Sequence, residues 1–188
     1  MRRLYRGAPQ LLRTAVAPVL RFDDPLSALH WQLGIPPDYG RRGLPRHDDR
    51  HVNLVECDKH LMTPETRDAW QALRDAAQRD GVNIKVNWGY RTVEEQARLI
   101  RHAIRCGWAM DSVLQRMAAP GYSEHHTGRA LDIVTDTCDG EGFESTSEYA
   151  WLRDHAGEYG FRQTYPPGSA CGLRFEPWHW CWHPPPGA

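Results

Sequence analysis

The chain carries the stretch SEHHTGRALDIV at residues 123–134. Its last five residues have the apolar character of a short buried strand, except that Asp132 lies at their centre. Asp is depleted from strands and is rarely buried unless it is paired or binds a metal, although an isolated Asp of this kind is more often on the exposed face of an edge strand. His125 precedes Asp132 by seven residues, and Gly128 permits a sharp turn between them. The imidazole and the carboxylate can therefore converge, which makes both residues candidate metal ligands.

A second cluster, FEPWHWCW, occupies residues 175–182. If this segment is extended, its three tryptophans fall on one face, and His179 and Cys181 fall on the other. Glu176 precedes His179 by three residues, across a proline that interrupts regular strand pairing. Together with the first stretch, this cluster offers two histidines and one aspartate. Three protein ligands leave a catalytic zinc ion one open position for water.

These two clusters resemble segments of the zinc D-alanyl-D-alanine carboxypeptidases of the VanY type. Residues 123–132 match the family's S-x-H-x-x-G-x-A-x-D signature, and residues 176–180 match its E-P-W-H-W segment. Residues 89–96 match G-Y-R-x-x-x-x-Q, and residues 159–161 match the Y-G-F before the last strands. The resemblance covers residues 63–182, with four motifs in the family's order.

The resemblance implies a Zn²⁺ cofactor and a role for seven residues. The implied roles are zinc ligand for His125, Asp132 and His179, general base for Glu176, stabiliser of developing negative charge for Arg91, and substrate binding for Ser123 and Gln96. The residue types suit this chemistry, because zinc lowers the pKa of bound water to about 7 and a neighbouring carboxylate can accept its proton. A guanidinium can then donate to the oxyanion, although Arg residues more commonly form surface ion pairs.

Other assignments of the site stay open from the residues alone. His126 is adjacent to His125, and only the family register favours His125 as the ligand, which leaves His126 as a supporting residue. Cys181 and His183 are alternative ligands. A cysteine nucleophile paired with histidine would leave Asp132 without a role.

Hydrophobic periodicity and capping signals predict an α+β fold, in which helices pack against a small, mainly antiparallel sheet with the zinc site at the sheet. The predicted helices begin after Thr63, after a capping box at Thr92–Glu95 and after a second capping box at Ser145–Glu148, with a helical turn at 111–117. The predicted strands lie near 84–88, 129–134, 173–175 and 178–182. In the first of them, Ile84, Val86 and Trp88 alternate with two polar residues, which predicts that these three side chains lie on the buried face of a half-buried strand.

Composition and length indicate one principal domain. The 188 residues include 23 basic and 24 acidic side chains, so the overall field that non-specific nucleic-acid binding needs is absent. Residues 1–50, rich in Pro, Arg and Gly, are predicted to be an extension that wraps the core, and residues 51–188 a zinc peptidase domain. Most arginines of the extension fall into two groups: Arg2, Arg3, Arg6 and Arg13, then Arg41, Arg42, Arg46 and Arg50. We expect them to be solvated rather than bound to an anionic surface.

No apolar run reaches the roughly 20 residues of a membrane-spanning helix, so we expect a soluble chain. Residues 11–20 resemble the core of a secretory signal, but Arg13 interrupts them and no clear cleavage pattern follows. The five cysteines form no CxxC pair, which favours buried free thiols over a Cys138–Cys171 disulfide.

The sequence thus predicts a zinc carboxypeptidase that removes a C-terminal D-amino acid from peptidoglycan stem peptides. Alternatives are an endopeptidase of the same fold and a non-catalytic, zinc-stabilised module that binds the wall. The substrate class implies the periplasm or the cell exterior, whereas the lack of a clear signal leaves a cytoplasmic role open. The motifs do not distinguish D,D- from L,D-specificity and do not address oligomeric state.

Overall fold

The structure is a computed structural model and describes residues 24–138 and 140–185. The four arginines at the start of the chain and the apolar stretch 11–20 lie outside the described residues. Among the described helices, none is both long and apolar enough to cross a bilayer.

A four-stranded antiparallel sheet forms the centre of the fold. Its strands are β3 (Lys85–Trp88), β4 (Ala130–Val134), β5 (Phe161–Gln163) and β6 (His179–Trp182), in the order β3-β4-β6-β5. Strands β1 (Val55–Cys57) and β2 (His60–Met62) form a separate hairpin. The predicted α+β class with a small antiparallel sheet is confirmed.

The described residues also form five α-helices: α1 (Pro25–Leu33), α2 (Pro64–Arg79), α3 (Val93–Arg105), α4 (Met110–Leu114) and α5 (Ser147–His155). Thr63 caps α2, because its hydroxyl accepts a hydrogen bond from the Thr66 amide. The capping box predicted at Thr92 and Glu95 is present at the start of α3.

Four local predictions were wrong. Residues 173–175 form no strand, and the Thr146 hydroxyl, rather than a capping box at 145–148, caps α5 through the Tyr149 amide. Trp88, expected on the half-buried side of its strand, is 42% exposed and packs against the Arg91 guanidinium. All five cysteines are free thiols as predicted, but only Cys57 and Cys181 are buried.

The main core lies between one face of the sheet and helices α2 and α5. Trp70 and Leu73 of α2 pack there with Leu131 and Ile133 of β4 and with Leu152 of α5. Because side chains alternate across a strand, Asp132 points to the opposite face of the sheet. That face carries the candidate site.

Residues 24–50 pack on a second core formed with α3 and α4, and they include α1, which the sequence did not predict. Ile35 and Tyr39 are buried in this core, and the Tyr39 hydroxyl accepts a hydrogen bond from the Ala119 amide at 3.0 Å. Two of the arginines in this region form ion pairs, Arg46 with Asp24 and Arg50 with Asp48. The segment is thus attached to loops next to the site, while its designation as a separate extension stays a prediction.

Candidate metal centre and its surroundings

Three candidate ligands converge on one face of the sheet. Asp132 of β4 and His179 of β6 are direct partners in the strand register, and His125 lies in the 3-10 turn Glu124–Thr127 that leads into β4. Asp132 Oδ1 lies 3.3 Å from His125 Nε2 and 3.2 Å from His179 Nδ1. One potential ligand atom from each residue lies within 4.8 Å of the other two.

The far nitrogen of each imidazole is engaged by another group. His125 Nδ1 donates to the Gly89 carbonyl at 2.7 Å, and His179 Nε2 donates to the Glu124 carboxylate at 3.0 Å. These hydrogen bonds orient the two rings and leave His125 Nε2 and His179 Nδ1 as the nitrogens that face Asp132. Two imidazole nitrogens and one carboxylate oxygen are a donor set that fits zinc.

The charges around His179 explain why these side chains tolerate burial. Burial opposes protonation of His179, but hydrogen bonds with Asp132 and Glu124 raise its pKa to about 10. Burial also opposes ionisation of Asp132, yet the adjacent His125 and His179 hold the pKa of that carboxyl well below its usual range. The site therefore favours a carboxylate that faces a positive charge, which a proton or a metal cation can supply.

Glu124 is a site residue that the sequence analysis missed. It is 8% exposed and contacts His179, 55 residues further along the chain. Its place between Ser123 and His125 was the available signal, because a carboxylate in a buried motif needs a partner.

Glu176 lies in the loop directly before β6. Its amide donates to the Tyr165 carbonyl, and its carbonyl accepts from the His179 amide at 3.1 Å. Burial raises the pKa of its carboxyl to about 7, and nearby Asp132 adds to this effect against the opposing His179 and Arg91 charges. Such a pKa suits a group that exchanges protons near neutral pH.

Arg91 lies in the loop between β3 and α3, and several contacts hold it. Its Nη1 donates to Gln96 Oε1 at 2.8 Å, its guanidinium lies 4.8 Å from the centre of the Trp88 ring, and its amide donates to the His125 carbonyl. Its Nε is buried and has no hydrogen-bond partner among the described residues. Burial lowers the pKa of Arg91, but a guanidinium stays charged in proteins.

A cavity of about 200 Å³ connects these groups. All seven predicted site residues line it: Arg91, Gln96, Ser123, His125, Asp132, Glu176 and His179. Tyr165, which the sequence analysis also missed, lines the same cavity and packs its ring 4.9 Å from that of His179. Gln96 is 1% exposed, and its amide nitrogen donates to the Ala118 carbonyl while its oxygen accepts from Arg91. In this arrangement Gln96 holds Arg91 in place at the cavity.

His126 points away from the candidate ligands. It is fully buried, its Nδ1 donates to the Arg91 carbonyl at 2.6 Å, and its Nε2 accepts from the Gly121 amide. Burial lowers its pKa to about 4, so the ring is neutral at physiological pH. Within the described parts of the chain, the candidate metal group includes neither His126 nor Cys181 nor His183.

Residues 59–185 match the family model described as VanY, D-alanyl-D-alanine carboxypeptidase. The chain is 28% identical over 159 residues to the "Putative carboxypeptidase YodJ" of Bacillus subtilis, a match that covers 82% of this chain and 58% of that protein. It is 35% identical over 122 residues to a D-alanyl-D-alanine carboxypeptidase of Enterococcus faecalis, covering 58% of this chain and 44% of that protein. The chain thus spans about half the length of these curated relatives.

Solved structures of related carboxypeptidases are similar in fold. VanYB in complex with D-alanine-D-alanine has a TM-score of 0.60 at 31% identity, covering 70% of this chain and 77% of that one. A variant of the vancomycin-resistance D,D-pentapeptidase VanY in complex with Zn(II) has a TM-score of 0.62 at 30% identity, covering 73% and 82%. The LdcB LD-carboxypeptidase has a TM-score of 0.61 at 28% identity, covering 78% and 68%.

Proposed function

The chain belongs to the VanY family of D-alanyl-D-alanine carboxypeptidases, and from this we propose that it removes a C-terminal D-amino acid from peptidoglycan stem peptides with a zinc ion as cofactor. The match of residues 59–185 also supports the proposed division into an extension at 1–50 and a peptidase domain at 51–188. Because the chain spans about half of its curated relatives, the activity, the substrate and a location in the periplasm or outside the cell are all parts of the proposal.

One observation carries the metal assignment. Gly89 and Glu124 engage the far nitrogens of His125 and His179, so the opposite nitrogens of both rings face Asp132. Zinc bound by these three residues would supply Lewis-acid chemistry, activating water and polarising the scissile carbonyl.

In this proposal Glu176 moves the proton. Its partly buried carboxylate accepts a proton from the attacking water and delivers it to the leaving amine as the carbon–nitrogen bond breaks. The raised pKa supports both halves of this transfer, because a carboxyl with a pKa of about 7 can accept and release a proton near neutrality.

Arg91 and Ser123 bind the substrate in the same proposal. Arg91 is partly buried beside the cavity and is held by Gln96 and Trp88, so its guanidinium is positioned in advance to stabilise negative charge on the substrate. Ser123 adds a hydroxyl to the cavity wall, and Gln96 contributes mainly by holding Arg91.

An assay with purified protein tests the proposal. Its substrates are peptides that end in D-Ala-D-Ala, D-Lys-D-Ala or L-Lys-D-Ala. We expect release of the terminal D-Ala from at least one of them, loss of this activity with a chelator and recovery with zinc. Comparing the D,D and L,D linkages assigns the specificity. Cleavage only inside a longer stem or crosslink would indicate the endopeptidase, and zinc-dependent binding of a peptide without cleavage would indicate the wall-binding module.

A further inference from the structure

A second cavity, of about 250 Å³, adjoins the reaction cavity. Glu176, Trp178 and Arg116 line both, so the two cavities share a wall. The reaction cavity, at about 200 Å³, is small for a peptide ligand. A peptide whose scissile bond lies beside Glu176 would therefore extend its remaining residues into adjoining space.

Charged side chains of both signs line the second cavity. Arg116 and Glu141 form an ion pair at 3.2 Å, and the Arg116 guanidinium lies 5.1 Å from the centre of the Trp108 ring. These two charges thus have partners within the protein.

Arg174 and Glu144 on the same cavity differ from that pair. Arg174 is anchored to Gln115 by its amide at 2.8 Å and by Nη2 at 3.3 Å, and Glu144 accepts only the Gly142 amide at 3.1 Å. Both side chains are exposed, and neither forms an ion pair in the part of the chain that the structure describes. The cavity thus offers a ligand one cation and one anion that have no charged partner.

We propose, on the basis of the proposed function, that this cavity binds the diamino acid that precedes the terminal D-alanine residues, and that it favours a side chain ending in both an ammonium and a carboxylate. Arg174 can accommodate the carboxylate with its planar pair of donors, and Glu144 can accept from the ammonium. A lysine side chain satisfies only Glu144. Because both groups are solvent-exposed, the selection is moderate, about 2- to 5-fold in kcat/KM for the side chain with two charges over lysine.

Three peptides that differ at a single residue test this inference. The residue before the terminal D-Ala is 2,6-diaminopimelate, lysine or norleucine, and each peptide is made in two forms, with one and with two terminal D-Ala residues. For the wild type we expect kcat/KM to fall in that order. Arg174→Gln should lower kcat/KM for the diaminopimelate peptide to the value for the lysine peptide. Glu144→Gln should lower kcat/KM for the lysine peptide to the value for the norleucine peptide. The ratios between peptides are the readout, because a general structural defect would lower all three together.

Arg79→Gln and Glu65→Gln are matched controls, because these exposed residues of α2 do not line the cavity. They should leave the ratios unchanged. Equal kcat/KM for the three peptides with the wild-type protein, or unchanged ratios in both cavity variants, would overturn the inference.

N-acetyl-D-Ala-D-Ala and N-acetyl-L-Ala-D-Ala, which lack the diamino acid, test the proposed function separately in the wild-type protein. If neither these nor the longer peptides are cleaved, the proposed function fails. Calorimetric titration of the zinc-loaded protein with the three peptides then still tests the cavity. A Kd that rises from the diaminopimelate to the lysine to the norleucine peptide supports the inference, and equal Kd values contradict it.

Discussion

The Glu124 carboxylate lies 3.0 Å from His179 Nε2, on the opposite side of the imidazole from Asp132. A carboxylate that accepts from the far nitrogen of a metal-binding histidine fixes the ring and raises its basicity, and its loss typically weakens metal binding about 10- to 100-fold. We therefore expect Glu124→Ala to raise the zinc Kd by about that factor. Glu124→Gln, which keeps an acceptor but loses the charge, should have a smaller effect.

Competition with a chromogenic chelator measures these affinities. Glu158→Ala, an exposed carboxylate that lies 3.6 Å from His155, is the matched control and should bind zinc as the wild type does. An unchanged zinc Kd in Glu124→Ala would remove Glu124 from the support of the site.

The metal ligands themselves give the second prediction. His125→Ala, Asp132→Ala and His179→Ala should each sharply reduce zinc content measured by atomic absorption, because three ligands leave no redundancy. His126→Ala should retain zinc, since that ring bonds to Arg91 and Gly121 instead. Loss of zinc in His126→Ala with full occupancy in His125→Ala would mean that the assigned register is wrong.

Arg91→Lys should restore little of the activity that Arg91→Ala loses. A lysine ammonium cannot bond to Gln96, stack on Trp88 and donate to the substrate with the planar geometry of a guanidinium. We expect kcat/KM of both variants to fall by about 100-fold or more, in the range known for removal of an oxyanion donor. Near-normal turnover by the Lys variant would show that Arg91 has no specific role in catalysis.

Glu176→Gln separates proton transfer from metal binding. The variant keeps size and hydrogen-bonding shape but cannot accept the proton, so kcat should fall about 100- to 10,000-fold, or about 3 to 5 kcal/mol of barrier. Zinc content and substrate KM should change far less. Loss of zinc in proportion to activity would instead make Glu176 a support for His179, and retention of both zinc and activity would exclude it from the mechanism.

Asp49 provides a prediction for the segment before the peptidase domain. Its Oδ2 accepts from the Val93 amide at 2.7 Å, at the N-terminus of α3, and its carbonyl accepts from the Tyr90 hydroxyl. Removing a carboxylate that bonds a free helix amide costs about 0.5 to 2 kcal/mol. We expect Asp49→Ala to lower the free energy of unfolding in urea by that amount.

Asp48→Ala is the matched control for Asp49→Ala. Asp48 is exposed and bonds only to Arg50, so its loss should change stability little. Equal stability of the two variants would contradict the cap on α3.

Several local features of the fold could be predicted from sequence. Thr63 with Pro64 marked the start of α2, and Thr92 with Glu95 marked that of α3, because a helix terminus needs acceptors for its free amides within a few residues. Where two adjacent residues could both cap, as Ser145 and Thr146, the signal did not choose correctly. Strand β5 and the β1-β2 hairpin were missed because each of these strands is only three residues long. Alternation of apolar and polar residues cannot be recognised over so few positions.

The three candidate metal ligands were predicted from residue types and their context, and the roles of the other four site residues from the resemblance to the VanY family. The structure brings all seven to one cavity. The contacts that hold these residues in place could not be predicted from the sequence. The contact of Glu124 with His179 joins residues 55 apart, and it exists because β4 and β6 pair with Asp132 opposite His179. Arg174 and Glu144 likewise meet on one cavity only after folding.

The amino-acid sequence alone therefore established the chemical types at the site and the local elements that carry them, since caps, periods and motifs act over a few residues. Tertiary structure determined which nitrogen of each histidine is available, which side chain holds Arg91 and which charges remain without partners. These properties depend on strand register and loop packing. One residue of slip between β4 and β6 would turn Asp132 or His179 to the other face of the sheet, with almost no change in the local preferences of either strand.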